Sequence, residues 1–122
     1  MRVAWEGPAG RLEGELWLPE EGAPRALCIV AHPHPLHGGN MHSSVVYRIA
    51  RGVQSTGLAV LRFNFRGVGT SAGVHDDGPG EVDDMRSACE WLRDQHPGLP
   101  LWAAGFSFGS RTALLAARGD ET

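Results

Sequence analysis

Two uninterrupted apolar runs, Ala26-Leu27-Cys28-Ile29-Val30-Ala31 and Leu58-Ala59-Val60-Leu61, constrain the fold of this chain more than any other feature. A strand with one face in water alternates apolar and polar side chains, whereas a strand covered on both faces reads as a continuous apolar stretch. The second run extends into Arg62-Phe63-Asn64, and a third strand is expected from Leu99 to Ala104. Between the first two runs the spacing turns helical. Val45, Val46, Ile49, Ala50 and Val53 fall on one side of a helix from about Ser43 to Thr56, with Gly57 as its C-terminal stop. A second helix is expected from Gly80 to Gln95, with Val82, Met85, Cys89 and Leu92 on one face. Its first turn carries Glu81, Asp83 and Asp84, the favourable sign at the positive end of a helix dipole; His96-Pro97-Gly98 ends it. A third helix starts near Phe108 and ends at Gly119.

Ahead of these elements, Val3-Ala4-Trp5 and Leu12-Glu13-Gly14-Glu15-Leu16-Trp17-Leu18 read as an antiparallel opening pair stopped by Pro19. The second run places Leu12, Gly14, Leu16 and Leu18 on one face and charge plus Trp17 on the other. The order β-β-β-α-β-α-β-α carries no internal repeat and no low-complexity linker. It predicts one α/β domain over residues 1–122, a mostly parallel sheet with an antiparallel N-terminal pair, right-handed crossovers and helices on both faces.

Composition narrows the function classes. With 42% hydrophobic and 20% charged residues in 122, the chain reads as a globular domain rather than a disordered one. A net charge of −3 gives no broad electrostatic argument for nucleic acid or an anionic membrane as partner. No apolar run is long enough to span a bilayer, and Met1-Arg2-Val3-Ala4-Trp5-Glu6-Gly7 lacks the apolar core of a signal peptide, so a cytoplasmic location is expected. Cys28 lies inside a strand and Cys89 on the apolar side of a helix; both are expected to be reduced thiols acting as small hydrophobes.

The chemistry points to Gly105-Phe106-Ser107-Phe108-Gly109, directly after Leu101-Trp102-Ala103-Ala104. A serine flanked at i−2 and i+2 by glycines, between a strand and a helix, is the nucleophile-elbow pattern G-x-S-x-G. The turn is so tight that the serine takes strained backbone angles and its neighbours must lack side chains, which gives Gly105 and Gly109 their purpose. Ser107 is thereby offered at the carboxyl end of the sheet, and the N–H of Phe108, at the start of the next helix, is a candidate oxyanion donor. A serine capping an ordinary helix after a glycine-rich turn is the bland alternative; the flanking strand and helix favour the elbow.

Ala31-His32-Pro33-His34-Pro35-Leu36-His37-Gly38-Gly39-Asn40 follows directly on a buried strand. With this segment the chain resembles the α/β-hydrolase superfamily, specifically its small single-domain bacterial members related to dienelactone hydrolases and serine esterases. In that family the loop after the third strand carries an H-G-x-P-like motif whose x residue gives the second oxyanion-hole N–H. By position His32-Pro33-His34-Pro35 matches it, which implies that His34 is the backbone donor; Pro33 departs from the usual glycine. Phe63-Asn64-Phe65-Arg66-Gly67-Val68-Gly69-Thr70-Ser71 is similar to the family's turn after the fourth strand. The resemblance runs over essentially the whole chain. It implies a serine hydrolase acting on a small ester, thioester or related acyl substrate, with Ser107 as nucleophile and no metal or organic cofactor.

Each of these segments also has a competing reading. His32, His34, His37 and His42 have the short spacing of a zinc cluster, but two interleaved prolines and the lack of a cysteine or carboxylate ligand close in sequence count against convergence. His32 is expected instead as a ring packed beneath its loop. Gly67-x-Gly69 with Gly73 puts the third glycine one position late for a dinucleotide loop. Arg66 reads as a loop-fixing ion-pair residue, Asp83 and Asp84 as a solvated helix start, and Trp5, Trp17, Trp91 and Trp102 as packing.

In α/β-hydrolases the triad follows the order Ser, acid, His. After Ser107 the acids are Asp120 and Glu121, and all six histidines, His32, His34, His37, His42, His75 and His96, precede it. A serine hydroxyl is a weak nucleophile without a base. By resemblance the family's sheet has the order 1-2-4-3-5-6-7-8, of which this chain supplies strands 1 to 5. That implies a domain cut short after the elbow helix, and it leaves Leu99–Ala104 as a hydrophobic edge that invites pairing with another chain. Three expectations follow: an N-terminal piece of a longer hydrolase, a natural short form that completes its sheet as a homodimer, or an upstream base among His37, His42 and His75. A non-catalytic domain associating through that edge is the alternative from outside enzymology, and a histidine-ligated metallohydrolase the alternative within it.

Overall fold

The computed structural model describes residues 1–118. The chain runs β1 (Arg2–Gly7), β2 (Gly10–Trp17), β3 (Leu27–Ala31), a single 3-10 turn at Pro35–His37, α1 (Ser44–Gln54), β4 (Ala59–Phe63), α2 (Pro79–Gln95), β5 (Leu101–Gly105) and α3 (Phe108–Arg118). The expected helix stop at Gly119 lies outside the described residues, as do Asp120 and Glu121. The five strands form one sheet in the order β1-β2-β4-β3-β5. β1 and β2 are an antiparallel hairpin in register from Arg2↔Glu15 to Gly7↔Gly10. β2 runs antiparallel to β4, and β3 lies parallel to both β4 and β5.

The two continuous apolar runs are covered on both faces, as their composition requires. Leu27, Ile29 and Ala31 of β3 and Ala59, Leu61 and Phe63 of β4 join the larger core, with Met85, Ala88 and Leu92 of α2 and Ala113 and Ala116 of α3. The intervening Cys28, Val30 and Val60 pack on the opposite side against Val46 and Ala50 of α1. This period-two division makes three layers, α1 on one face and α2 with α3 on the other. α1 ends in a turn closed by Gly57 N–H to the Gln54 carbonyl (3.0 Å), and Gly57 takes φ +93°, the left-handed conformation that suits a glycine stop. Neither Cys28 nor Cys89 is in a disulfide. Cys28 is buried, and desolvation pushes its thiol up to about 11, so it is a packing residue. Trp5 stacks on Trp91 (5.2 Å between ring centroids) and donates from Nε1 to Ser87 Oγ (3.2 Å), which ties β1 to α2.

Four expectations require correction. β2 ends at Trp17, so Leu18 lies beyond the strand and is exposed rather than inward-facing. Nor is the other face of β2 given over to solvent: Glu13 is buried beneath the β4–α2 loop, and Trp17 packs edge-on to Tyr47 with the Arg62 guanidinium 4.4 Å from its ring. The last strand spans Leu101–Gly105 rather than Leu99–Ala104, and its Trp102 is 63% exposed instead of packed, because β5 has a hydrogen-bonded neighbour on only one side among the described residues. Finally, the start of α2 is not a solvated face. Asp83 is exposed, but Asp84 and Glu81 are fully buried, for reasons set by the loop they hold. Among the described residues no helix is long and apolar enough to cross a membrane.

Candidate active site

Strands β3, β4 and β5 are parallel, so the loops that follow them emerge together at one end of the sheet. Ser107 stands there between β5 and α3, solvent-exposed, with φ +57°. A non-glycine residue in that region is uncommon and strained, and it is the backbone signature the elbow pattern demands. The two glycines have measurable reasons. A Cβ on Gly105 would lie 2.5 Å from the Gly109 carbonyl carbon, and one on Gly109 would run into the carbonyls of Ala31 and His32. The first turn of α3 therefore sits directly against the end of β3. The N–H groups of that first turn have no intrahelical acceptor, Phe108 N–H among them.

The loop after β3 is anchored by His32. The ring is fully buried, accepts from Phe65 N–H at Nε2 (3.2 Å) and lies 2.7 Å from the Pro33 carbonyl at Nδ1. Acceptance at Nε2 leaves the proton on Nδ1, where it is donated to Pro33. This is the packed ring beneath the loop that was expected. Burial pushes His32 down to about 4 from its ordinary 6.5, while the Pro33 bond opposes the shift. The unfolded chain takes up this proton below pH 6.5 and the folded one does so only near 4, so the ring's contribution is complete above 6.5 and lost as pH falls through that window. Its loss is expected to lower unfolding free energy by about 3 kcal/mol between pH 6.5 and 4. Urea unfolding at a series of pH values, with the His32 ring proton followed by NMR, measures this; a ring titrating near 6.5 would contradict it.

His34 caps the 3-10 turn, with Nδ1 accepting Leu36 N–H (3.1 Å). Its ring stacks on His37 (4.4 Å) and lies 4.8 Å from the Phe108 ring, so the two segments singled out in the sequence, His32–Pro35 and Gly105–Gly109, do meet. His42 is exposed, and His96 caps the far end of α2. The four-histidine zinc cluster that the sequence argued against does not assemble: His32 is committed to the Phe65 amide, and among the described residues the ligand-bearing group that does converge is His34, His75 and Asp77.

The β4–α2 loop forms the third wall and is held by buried polar groups. Asn64 bridges Met41 N–H (2.8 Å) and Glu13 Oε2 (2.8 Å), and Glu13 also accepts Thr70 N–H (2.6 Å). Burial works to raise the Glu13 carboxyl, but these hydrogen bonds outweigh it, with help from Arg2, and hold it below its ordinary value. Arg66 is the ion-pair residue anticipated: its guanidinium meets Asp84 Oδ1 at 2.9 Å, and its own N–H bonds Asp84 Oδ2 at 2.9 Å. Glu81 accepts Asp76 N–H (2.8 Å) and Gly78 N–H (2.9 Å). The two acids therefore fold the loop onto α2 rather than facing water. His75 sits within this fold, its ring 5.9 Å from Phe108 and 5.2 Å from His34. Spacing alone did not bring Asp77 and Glu81 to the site, because their convergence depends on positive φ at Asp77 (56°) and Gly78 (127°).

Comparison with known proteins agrees with this geometry. A family model described as "Serine aminopeptidase, S33" matches residues 22–122. The chain is 42% identical over 115 residues to an uncharacterized protein of Rickettsia prowazekii, covering 93% of this chain and 48% of that one. It is 31% identical over 102 residues to a monoacylglycerol lipase of Mycolicibacterium smegmatis, covering 81% and 34%. Among solved structures, an α/β serine hydrolase homologue from Coxiella burnetii superposes with a TM-score of 0.95 at 38% identity, over 99% of this chain and 58% of that one. An α/β serine hydrolase without a lid from Xanthomonas campestris gives 0.93 at 45% identity, over 98% and 56%. The chain thus spans about half the length of three of these relatives and about a third of the lipase.

Proposed function

Because the chain belongs to the S33 serine aminopeptidase family of α/β hydrolases, we propose that it is a serine hydrolase acting on a small ester, thioester or related acyl compound. Ser107 is the nucleophile in this reading, and the single observation that carries it is the left-handed backbone of that residue (φ +57°) between β5 and α3. The hydroxyl adds to the acyl carbon, and the carbonyl oxygen becomes an oxyanion. Phe108 N–H, at the open end of α3, and His34 N–H, from the loop after β3, stabilise that charge. Collapse expels the alcohol or thiol, and water then frees the acyl group from Ser107. No metal or organic cofactor enters these steps. In this reading the acid and base come from outside residues 1–122: all six histidines precede Ser107, whereas the family's triad order places the histidine after the serine. The monoacylglycerol lipase among the relatives supports an acyl ester as the substrate class. Hydrolysis of p-nitrophenyl acetate and butyrate by the protein expressed from its own gene tests the reading; no turnover of either, nor of a thioester, would overturn it.

A second reading rests on the sheet edge. β5 pairs with β3 on one side only among the described residues, and Trp102 projects 63% exposed beside Ala103. An edge strand that is apolar and unpaired is a template for another strand. The occupant inferred is a second copy of the chain, two β5 strands meeting antiparallel about a two-fold axis. Residues 1–122 on their own are then expected to be dimeric by light scattering, and Trp102→Lys to be monomeric. A wild-type monomer at every concentration would contradict this.

A further inference from the structure

Beside the proposed nucleophile, one group of side chains is left without a role in the proposed reaction, although one of its members, His34, supplies its backbone N–H to it. His34, His75 and Asp77 each bring a ligand atom within 4.8 Å of the other two. His75 Nε2 lies 3.7 Å from Asp77 Oδ1. Ligand atoms around a tetrahedral zinc with bonds of about 2.0–2.1 Å are separated by about 3.4 Å, so this pair already has close to the required spacing. The Asp77 carboxylate is 95% exposed and free to turn inward.

The second observation concerns His75 itself. Both ring nitrogens are shielded from solvent, and neither makes a hydrogen bond. Nδ1 is 3.1 Å from Glu81 Oε2 but off the line a hydrogen bond requires. Glu81 is fully buried and fixed by the amides of Asp76 and Gly78, so it cannot move away. A small rotation of the imidazole would align Nδ1–H with this carboxylate, the pairing that presents the Nε2 lone pair to a metal. In the neutral ring that lone pair faces the Asp77 carboxylate, an arrangement that a cation between them reconciles.

We propose that His34, His75 and Asp77 form a binding site for a borderline divalent cation of the Zn²⁺ type, with Glu81 as the positioning carboxylate behind His75. Two imidazoles and one carboxylate suit Zn²⁺ and Co²⁺ better than Mg²⁺ or Ca²⁺, and three protein ligands leave a fourth position for water. His34 accepts Leu36 N–H at Nδ1, so ligation through Nε2 moves the ring proton to Nδ1 and costs that exposed contact. The rings of His34 and His75 both border Phe108, which places the ion beside the elbow. Metal binding is independent of whether Ser107 is catalytic.

The test is equilibrium dialysis of tag-free protein against Zn²⁺ with metal analysis, together with Co²⁺ titration read by its visible d–d bands. One ion per chain and the intense bands of four-coordinate Co²⁺ are expected. His75→Phe and Asp77→Asn should each weaken binding at least about tenfold, and Glu81→Gln about 10–100-fold through His75. Asp77 is exposed, so Asp77→Asn should leave the thermal melt unchanged and separate ligand loss from misfolding. Sub-stoichiometric zinc would overturn the proposal. So would full binding by both His75→Phe and Asp77→Asn, which would move the ion to His37 or His42.

Discussion

Under the proposed serine-hydrolase reading, Ser107→Ala is expected to lower kcat toward an ester by a factor on the order of 10⁴ to 10⁶, the scale on which loss of a nucleophilic serine acts. Two other side chains with nucleophilic atoms are unsuited to replace it. The Cys28 thiol is buried with its ionisation pushed up to about 11, and Thr112 Oγ1 is spent on the Phe108 carbonyl (2.9 Å). The N–H groups proposed for the oxyanion belong to the backbone, so the variant keeps them and retains the residual rate that such a site provides. Stability moves the other way for a different substitution. Alanine suffers the same left-handed strain as serine, whereas Ser107→Gly relieves it and is expected to raise unfolding free energy by about 1 kcal/mol while abolishing turnover. A strained residue whose relief stabilises the protein and removes its activity marks a site kept for function. Steady-state kinetics and urea unfolding of both variants measure the two effects; an active Ser107→Ala protein would remove the serine from the mechanism.

Asp84→Ala is the largest structural effect expected, about 3–5 kcal/mol, because it strips a buried pair of one partner and leaves the other charged. Asp84 is fully buried and receives three groups of Arg66, the backbone N–H (2.9 Å), Nε (3.1 Å) and Nη2 (2.9 Å). After the substitution the guanidinium retains the Gly80 carbonyl (2.9 Å), and the Arg66 N–H is orphaned. The same pair keeps the Arg66 guanidinium above its ordinary value, chiefly through the Asp84 hydrogen bonds. The loop they fix carries His75 and Asp77, so the variant is expected to lose any bound divalent ion as well as stability. Asp84→Asn, which preserves the acceptor for the Arg66 N–H, should cost less. Urea unfolding midpoints of the two variants decide this; a wild-type midpoint in Asp84→Ala would mean that the buried pair contributes nothing.

Where the determinants are local, they were legible in the sequence. The elbow is written in five consecutive residues because its tight turn excludes side chains at Gly105 and Gly109. The central strands are legible because a strand covered on both faces has no polar alternation to preserve. Arg66 could be read as an ion-pair residue, but its partner could not. Asp84 has the spacing of an ordinary helix start, and only the docking of the β4–α2 loop onto α2 turns it inward. Trp102 carries the same local signal as the packed Trp5; its exposure depends on which strand occupies the sheet edge. Glu13 was placed outward by alternation, yet a loop some fifty residues later covers it and supplies the Thr70 and Asn64 bonds. His75, Asp77 and Glu81 come together only because the loop takes left-handed turns at Asp77 and Gly78. These are tertiary facts, and residue spacing does not encode them.

Ser107 as an activated nucleophile is the part of the proposed function on which the rest depends. Fluorophosphonate labelling of the protein expressed from its own gene, followed by peptide mass spectrometry, tests it most directly. One adduct per chain on Ser107, absent from Ser107→Ala, is the predicted result. An unlabelled protein, or an adduct that persists in Ser107→Ala, would contradict it.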